Sequence, residues 1–188
     1  AKILGDEGKV FAFEPEPNNF QLLKKNVELN GFKNIVLEQK AVSNKSGKLK
    51  LFLSEDNKGA HSLAQYNDGR GFVIVDVVTV DEFFRNYNGK IDFIKMDIEG
   101  AEYNALLGMK NLLTKLKNIK MITEFQPESL RRFGVNPVDY LNLLQELGFK
   151  LNYINEQNKK IEEISVSELK LMCDDKKFCG VNLLCVKS

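Results

Sequence analysis

Three carboxylates follow an apolar run in the stretch IDFIKMDIEGAE, residues 91–102: Asp97, Glu99 and Glu102. In an extended strand, alternate side chains share a face, so Ile91, Phe93, Lys95 and Asp97 line up together. Gly100 then allows a turn into AEYNALLGMKNLL, and Glu99 and Glu102, three apart at the start of a helix, face the same way. Two chemistries fit Asp97 and Glu99. They can hold a hard cation such as Mg²⁺, or they can orient a bound ligand and take up a proton without metal. Glu102 fits helix capping instead, and Lys95 is an ion-pair partner within reach of these acids.

A second acid, Glu14 in AFEPEP, stands one residue past another strand-like run, with Pro15 and Pro17 stiffening the turn that aims it. A carboxylate there can accept two hydrogen bonds from the vicinal hydroxyls of a ribose, or it can be a solvated acid before a helix N-terminus. Glu124 lies within an apolar run, where a carboxylate needs a partner, and Lys95 on the neighbouring strand is the available cation. His61, in GAHSL, is the sole histidine. With an ordinary pKa of ~6.5 it can take a proton near neutrality, or it can simply decorate a loop.

These groups need a scaffold that delivers them to one place. Runs rich in Val, Ile, Leu and Phe alternate with amphipathic stretches of helical length, the pattern of a parallel sheet with crossover helices. Strands are expected at 9–13, 35–41, 91–96, 120–125, 150–154 and 181–186. Helices are expected in PNNFQLLKKNVELNG, capped by Asn18 or Asn19, and in NPVDYLNLLQELG, with Tyr140, Leu141, Leu144 and Leu147 as its buried stripe. Between them, 49–53 and 72–80 read as β-rich runs around a long polar loop, 54–71. Residues 156–163 read as a charged turn in a closing strand pair. In open α/β sheets ligands gather at the carboxyl ends of the strands, which is where Glu14, Asp97 and Glu99 fall.

The 188 residues fit one domain. Lys and Arg number 27 against 26 Asp and Glu, a net charge of +1, which gives no bulk case for nucleic acid or an anionic membrane surface. No apolar run reaches the ~18 residues of a membrane span, and the expected location is the cytosol. Cys173, Cys179 and Cys185 are six apart and outside any C-x-x-C pattern, so they read as reduced thiols. One histidine cannot build a multi-histidine metal centre, and no metal site is assigned. No GxGxxG or P-loop is present; the GRG at 69–71 precedes a strand and fails the context that phosphate binding requires.

Taken together, GKVFAFEPEPNNFQLLKKNVELNG, KAVSNKSGKLKLFL, VTVDEFF and IDFIKMDIEGAEYNALLGMKNLL resemble the FkbM family of S-adenosylmethionine-dependent methyltransferases, over roughly 8–124. The resemblance implies a Rossmann-like class I methyltransferase sheet, mostly parallel with an antiparallel C-terminal strand. It implies S-adenosylmethionine as cofactor, with Glu14 and Pro15 at the ribose, Ala41 and Val42 of KAVS at the adenine, and Asp97 and Glu99 near the methionine end. His61 and Asp97 are then the candidates for deprotonating the acceptor, a small-molecule or glycan hydroxyl. The family's first strand and first helix, with the glycine-rich turn, are expected before Ala1, making residues 1–188 an N-terminally incomplete domain with two unpaired strand edges. Two alternatives stand beside this reading: an inactive binding or scaffold domain, and a nicotinamide-dependent oxidoreductase, since Glu14 suits either ribose.

Overall fold

The computed structural model describes residues 1–5, 7–55, 57–65, 69–174 (Asp174 by its backbone) and 180–188. Cys179 and residues 56 and 66–68 of the expected central loop lie outside the described residues. The elements run β1 (Val10–Phe13), α1 (Pro17–Leu29), β2 (Ile35–Glu38), β3 (Ala41–Val42), β4 (Gly47–Phe52), β5 (Phe72–Val78), α2 (Val80–Phe83), β6 (Phe93–Met96), α3 (Glu102–Leu107), α4 (Lys110–Lys115), β7 (Ile119–Phe125), α5 (Pro127–Arg132), α6 (Pro137–Glu146), β8 (Lys150–Asn155), β9 (Lys160–Glu163), α7 (Val166–Asp174) and β10 (Val181–Lys187).

The α/β class is as expected, with hydrogen bonding that falls into three ladders. β1 and β2 pair in parallel. The largest ladder has the order β6-β7-β10-β8-β9; β6 and β7 are parallel, and β10 runs antiparallel to both its neighbours. The third has the order β3-β5-β4, with β3 and β5 parallel. Among the described residues, no strand pairs with the second edge of β1 or of β6.

The main core lies on one face of the largest ladder. Met96 of β6, Ile119, Met121 and Phe125 of β7, and Leu183 and Cys185 of β10 pack against Leu106 and Leu113 from α3–α4, and against Tyr140, Leu141 and Leu144 from α6. Thr123 and Tyr140, both fully buried, satisfy each other through hydroxyls 2.6 Å apart. The opposite face carries alternate residues such as Phe93, 52% exposed, so this sheet is sealed on one side only. The β1–β2 pair is fastened by aromatic rings: Phe11 and Phe13 meet Phe83 at the end of α2, and Phe11 also meets Phe84, with edge-to-face centroids 4.9–6.0 Å apart. Phe84 in turn packs on the main core.

Three expectations need correction. The apolar run 35–41 is two strands, because the chain leaves β2 through Gln39 and Lys40 and β3 pairs with β5 instead. The run 72–80 stops at Val78; the Thr79 hydroxyl accepts the Glu82 amide at 3.1 Å, and the β-branched Val80 opens α2. The cap of α1 is Glu16, not Asn18 or Asn19. Pro17 has no N–H and holds its predecessor extended, so the Glu16 carboxylate reaches the Asn19 amide at 2.6 Å. Phe20, Leu23 and Val27 repeat at helical spacing along α1 and are half-buried. The two short helices α5 and α7 were not anticipated. Ser165 and Glu168 accept each other's amides at 3.1 and 2.8 Å, an S-x-x-E capping box legible in the sequence.

Of the thiols, Cys185 is buried, and burial pushes it up to about 12, which keeps it protonated. Cys173 donates to the Leu169 carbonyl. Among the described residues, no helix is long and apolar enough to cross a membrane.

Candidate functional site

One cleft receives the carboxyl ends of β1, β3 and β6. Glu14 and Pro15, Ala41 and Val42, and Asp97 with Glu99 line it, and His61 stands on its wall. Every residue marked in the sequence for cofactor or acceptor therefore faces a shared space. The structure separates Glu102 and Glu124 from that lining.

Glu14 continues the β1–β2 ladder through its amide, 3.0 Å from the Glu38 carbonyl, so its side chain leaves the sheet at the strand end. One carboxylate oxygen accepts the Glu16 amide at 2.8 Å, which fixes the side chain over the turn. Burial, and secondarily the neighbouring Glu16 carboxylate, hold Glu14 above the usual carboxylate range despite that bond.

Just past the end of β6, Asp97 receives Lys95 at 2.9 Å, as their shared face predicted. Glu99 does not open the helix. It sits in the turn before it with φ 56°, a left-handed conformation costing a non-glycine residue about 1–2 kcal/mol. Gly100 follows at φ 97°; a Cβ there would lie 2.6 Å from the Ser129 carbonyl oxygen, so α5 presses on this turn. The geometry sends Glu99 into the cleft, half-buried, with burial first and Asp97 second raising its pKa while Arg132 opposes them. Glu102 turns inward, 2% exposed, and accepts the Ile98 amide at 2.9 Å, so it caps the turn from beneath. Gly108 at the end of α3 performs a similar close approach: a Cβ would stand 2.0 Å from the Ser43 carbonyl, which sets the KAVS segment against the cleft.

Glu124 corrects another expectation. Lys95 is held by Asp97, and none of the described residues gives the Glu124 carboxylate an ion pair or hydrogen bond. Half-buried, and facing the charges of Asp97, Glu102 and Glu99, it is pushed up to about 7, with burial the largest cause and the more distant Lys95 charge opposing it.

The central loop is pinned where it meets the site. Phe52 and Ser62 exchange backbone hydrogen bonds at 2.8 and 3.1 Å. Ser62, 1% exposed, donates its hydroxyl to the Glu99 carbonyl at 2.9 Å and so braces the strained turn. Asn19 at the start of α1 donates to the Lys58 carbonyl at 2.9 Å. Sequence reasoning passed over Ser62 and Asn19 as site residues; a serine beside the lone histidine carried no signal of its distant partner. Among the described residues, no group of three or more His, Cys, Asp or Glu is disposed to hold a metal ion.

The arrangement offers a carboxylate for a diol, an apolar strip, and two further carboxylates. That donor set suits a ligand with vicinal hydroxyls, an apolar ring and a positive charge, which Asp97 and Glu99 would attract.

The methyltransferase FkbM domain model matches residues 1–151. A hexuronic acid methyltransferase, AglP, from Haloferax volcanii is 29% identical over 148 residues, covering 78% of this chain and 56% of that protein. The crystal structure of methyltransferase FkbM from Methylobacillus flagellatus matches 95% of this chain and 36% of its own, with a TM-score of 0.55 and 15% identity, a likeness of fold. The chain thus spans little more than half the length of its curated relative.

Proposed function

The chain belongs to the FkbM methyltransferase family, and from that premise we propose that it methylates an oxygen of a sugar or related small molecule at the expense of S-adenosylmethionine. The observation that carries this reading is the convergence of Glu14, Ala41, Val42, Asp97 and Glu99 on one cleft. When bound, S-adenosylmethionine supplies an electrophilic methyl group on a sulfonium. Glu14 would hold the ribose hydroxyls, with Pro15 fixing its approach. Ala41 and Val42 would flank the adenine, and Asp97 and Glu99 would set negative charge beside the sulfonium.

The cleft residues would hold the acceptor oxygen in line with that methyl group. The acceptor O–H proton passes to Asp97, because an unactivated hydroxyl is a poor nucleophile near neutral pH. The protein's main contribution is to hold the two reactants in line. Similarity to a hexuronic acid methyltransferase supports a sugar acid as the first acceptor to try.

Isothermal titration with S-adenosylhomocysteine tests the cofactor assignment, on this chain and on a form extended at its N-terminus. The extended form is included because β1 and β6 each leave an edge that a parallel strand could fill. Binding by either form supports the enzyme. Absence of binding in both favours the inactive scaffold, and binding of a nicotinamide dinucleotide instead favours the oxidoreductase.

A further inference from the structure

His61 reaches the cleft wall in a fixed orientation. Its Nδ1 accepts the backbone N–H of Ser54 at 3.0 Å. A neutral imidazole carries one ring proton, and a nitrogen that accepts a hydrogen bond cannot also bear it. The proton therefore sits on Nε2. Turning the ring over would place a carbon against the Ser54 amide and lose the bond, and the backbone around the ring is held by the Phe52–Ser62 bridge and by Ser62 on Glu99. Among the described residues, nothing accepts from Nε2. A ring so held offers the cleft a donor, whereas a general base must offer a bare nitrogen.

The surrounding charges agree. Burial is the largest influence on His61 and lowers its pKa; Arg70 and Lys58 lower it further, and Glu16 opposes them. Protonating Nδ1 would also set one N–H against the N–H of Ser54. The cleft already holds Glu14, Asp97 and Glu99, all acceptors when ionised. A bound hydroxyl needs one donor to hold its oxygen and one acceptor for its proton.

Resting on the methyltransferase reading above, we propose that His61 is a hydrogen-bond donor through Nε2–H to the oxygen-bearing methyl acceptor, and that proton abstraction belongs to the cleft carboxylates. His61 thereby becomes a determinant of acceptor placement.

Because the chain has one histidine, a long-range ¹H–¹⁵N correlation spectrum of the labelled protein reads its tautomer without assignment ambiguity. The expected result is a proton on Nε2, a bare Nδ1, a midpoint below 6.5 and a Ser54 amide that titrates with it. A proton on Nδ1, or a mixture of tautomers, overturns the proposal. The second arm follows S-adenosylhomocysteine release with glucuronate as acceptor, comparing His61→Gln, which keeps a donor, with His61→Phe, which keeps none.

Donor loss predicts kcat/KM within about threefold for Gln and about 10- to 100-fold lower for Phe, chiefly through KM, the scale of one hydrogen bond. A base predicts losses of about 10²- to 10⁴-fold in both variants, with the acidic limb of the kcat profile gone. Equal losses, or no loss in either, refute the donor role. The tautomer is read without ligand, so it decides the assignment even if glucuronate is not turned over. Failure to bind S-adenosylhomocysteine would instead count against the methyltransferase reading.

Discussion

Replacing Glu124 by Gln isolates the cost of an unpaired carboxylate beside the cleft. Its pKa rises from 4.5 to about 7, a change of roughly 2.5, and at about 1.36 kcal/mol per pH unit this corresponds to about 3.4 kcal/mol for a sealed group. Glu124 is only half-buried, so water screens much of this, leaving about 1.5 kcal/mol. The sign follows from proton binding. The folded protein holds the proton more tightly than the unfolded chain, so folding is favoured below pH 4.5 and loses stability as pH rises through the window from 4.5 to about 7. Glutamine resembles the protonated acid and never carries the charge. Urea denaturation at pH 4, 6 and 8 should therefore find Glu124→Gln equal to the parent at pH 4 and about 1.5 kcal/mol more stable at pH 8. Glu14, Glu99 and Glu102 titrate in both proteins and largely cancel. A difference independent of pH would refute the reasoning. So would a destabilised variant at pH 8, since it would mean that the attraction of Lys95 or another cation outweighs burial.

Two other substitutions test different links. Glu14→Ala should weaken S-adenosylhomocysteine binding by about 1–3 kcal/mol, the scale of charge-assisted hydrogen bonds to a diol, and an unchanged affinity in titration calorimetry would remove Glu14 from the ribose. Gly100→Ala should destabilise by about 2–5 kcal/mol, because φ 97° strains any other residue and the new Cβ meets the Ser129 carbonyl; a melting temperature within a degree of the parent would contradict the packing described.

Local patterns made much of this legible. Tyr140, Leu141, Leu144 and Leu147 repeat at helical spacing and are all buried. The strand-end rule found Glu14, Asp97 and Glu99 without knowledge of the topology. What stayed hidden depended on partners distant in sequence. The division of 35–41 into two strands depends on where β5 lies, 36 residues away. The pinning of His61 and Ser62 depends on Ser54 and the Glu99 carbonyl, and a serine hydroxyl does not advertise its acceptor. Lys95 had two acids within reach, and only geometry could show that it would take Asp97 and leave Glu124. Helix α7 was different: Ser165 and Glu168 spelled its start, and the charged context obscured it.

The carboxylates lining the cleft and those packed behind it share a feature. Glu14, Glu99, Glu102 and Glu124 are all held above the usual carboxylate range, with burial first among the causes, and Asp97 is among the opposing charges for three of them. Crowded acids of this kind are relieved by a cation. S-adenosylmethionine carries one on sulfur and S-adenosylhomocysteine does not, though the two are otherwise alike. On the methyltransferase reading, the sulfonium lowers the pKa of the cleft carboxylates it faces, Glu14 and Glu99, so its binding releases protons and tightens as pH rises through their raised range. One partly screened charge pair at a half-buried site amounts to about 1 kcal/mol, so the preference for S-adenosylmethionine over its product should grow about three- to tenfold as pH rises through that range. Calorimetry in two buffers of different ionisation enthalpy reads the proton release directly. Identical pH dependence for the two ligands would show that the acids do not face the sulfur, and product release would then need another driving force than the loss of this charge.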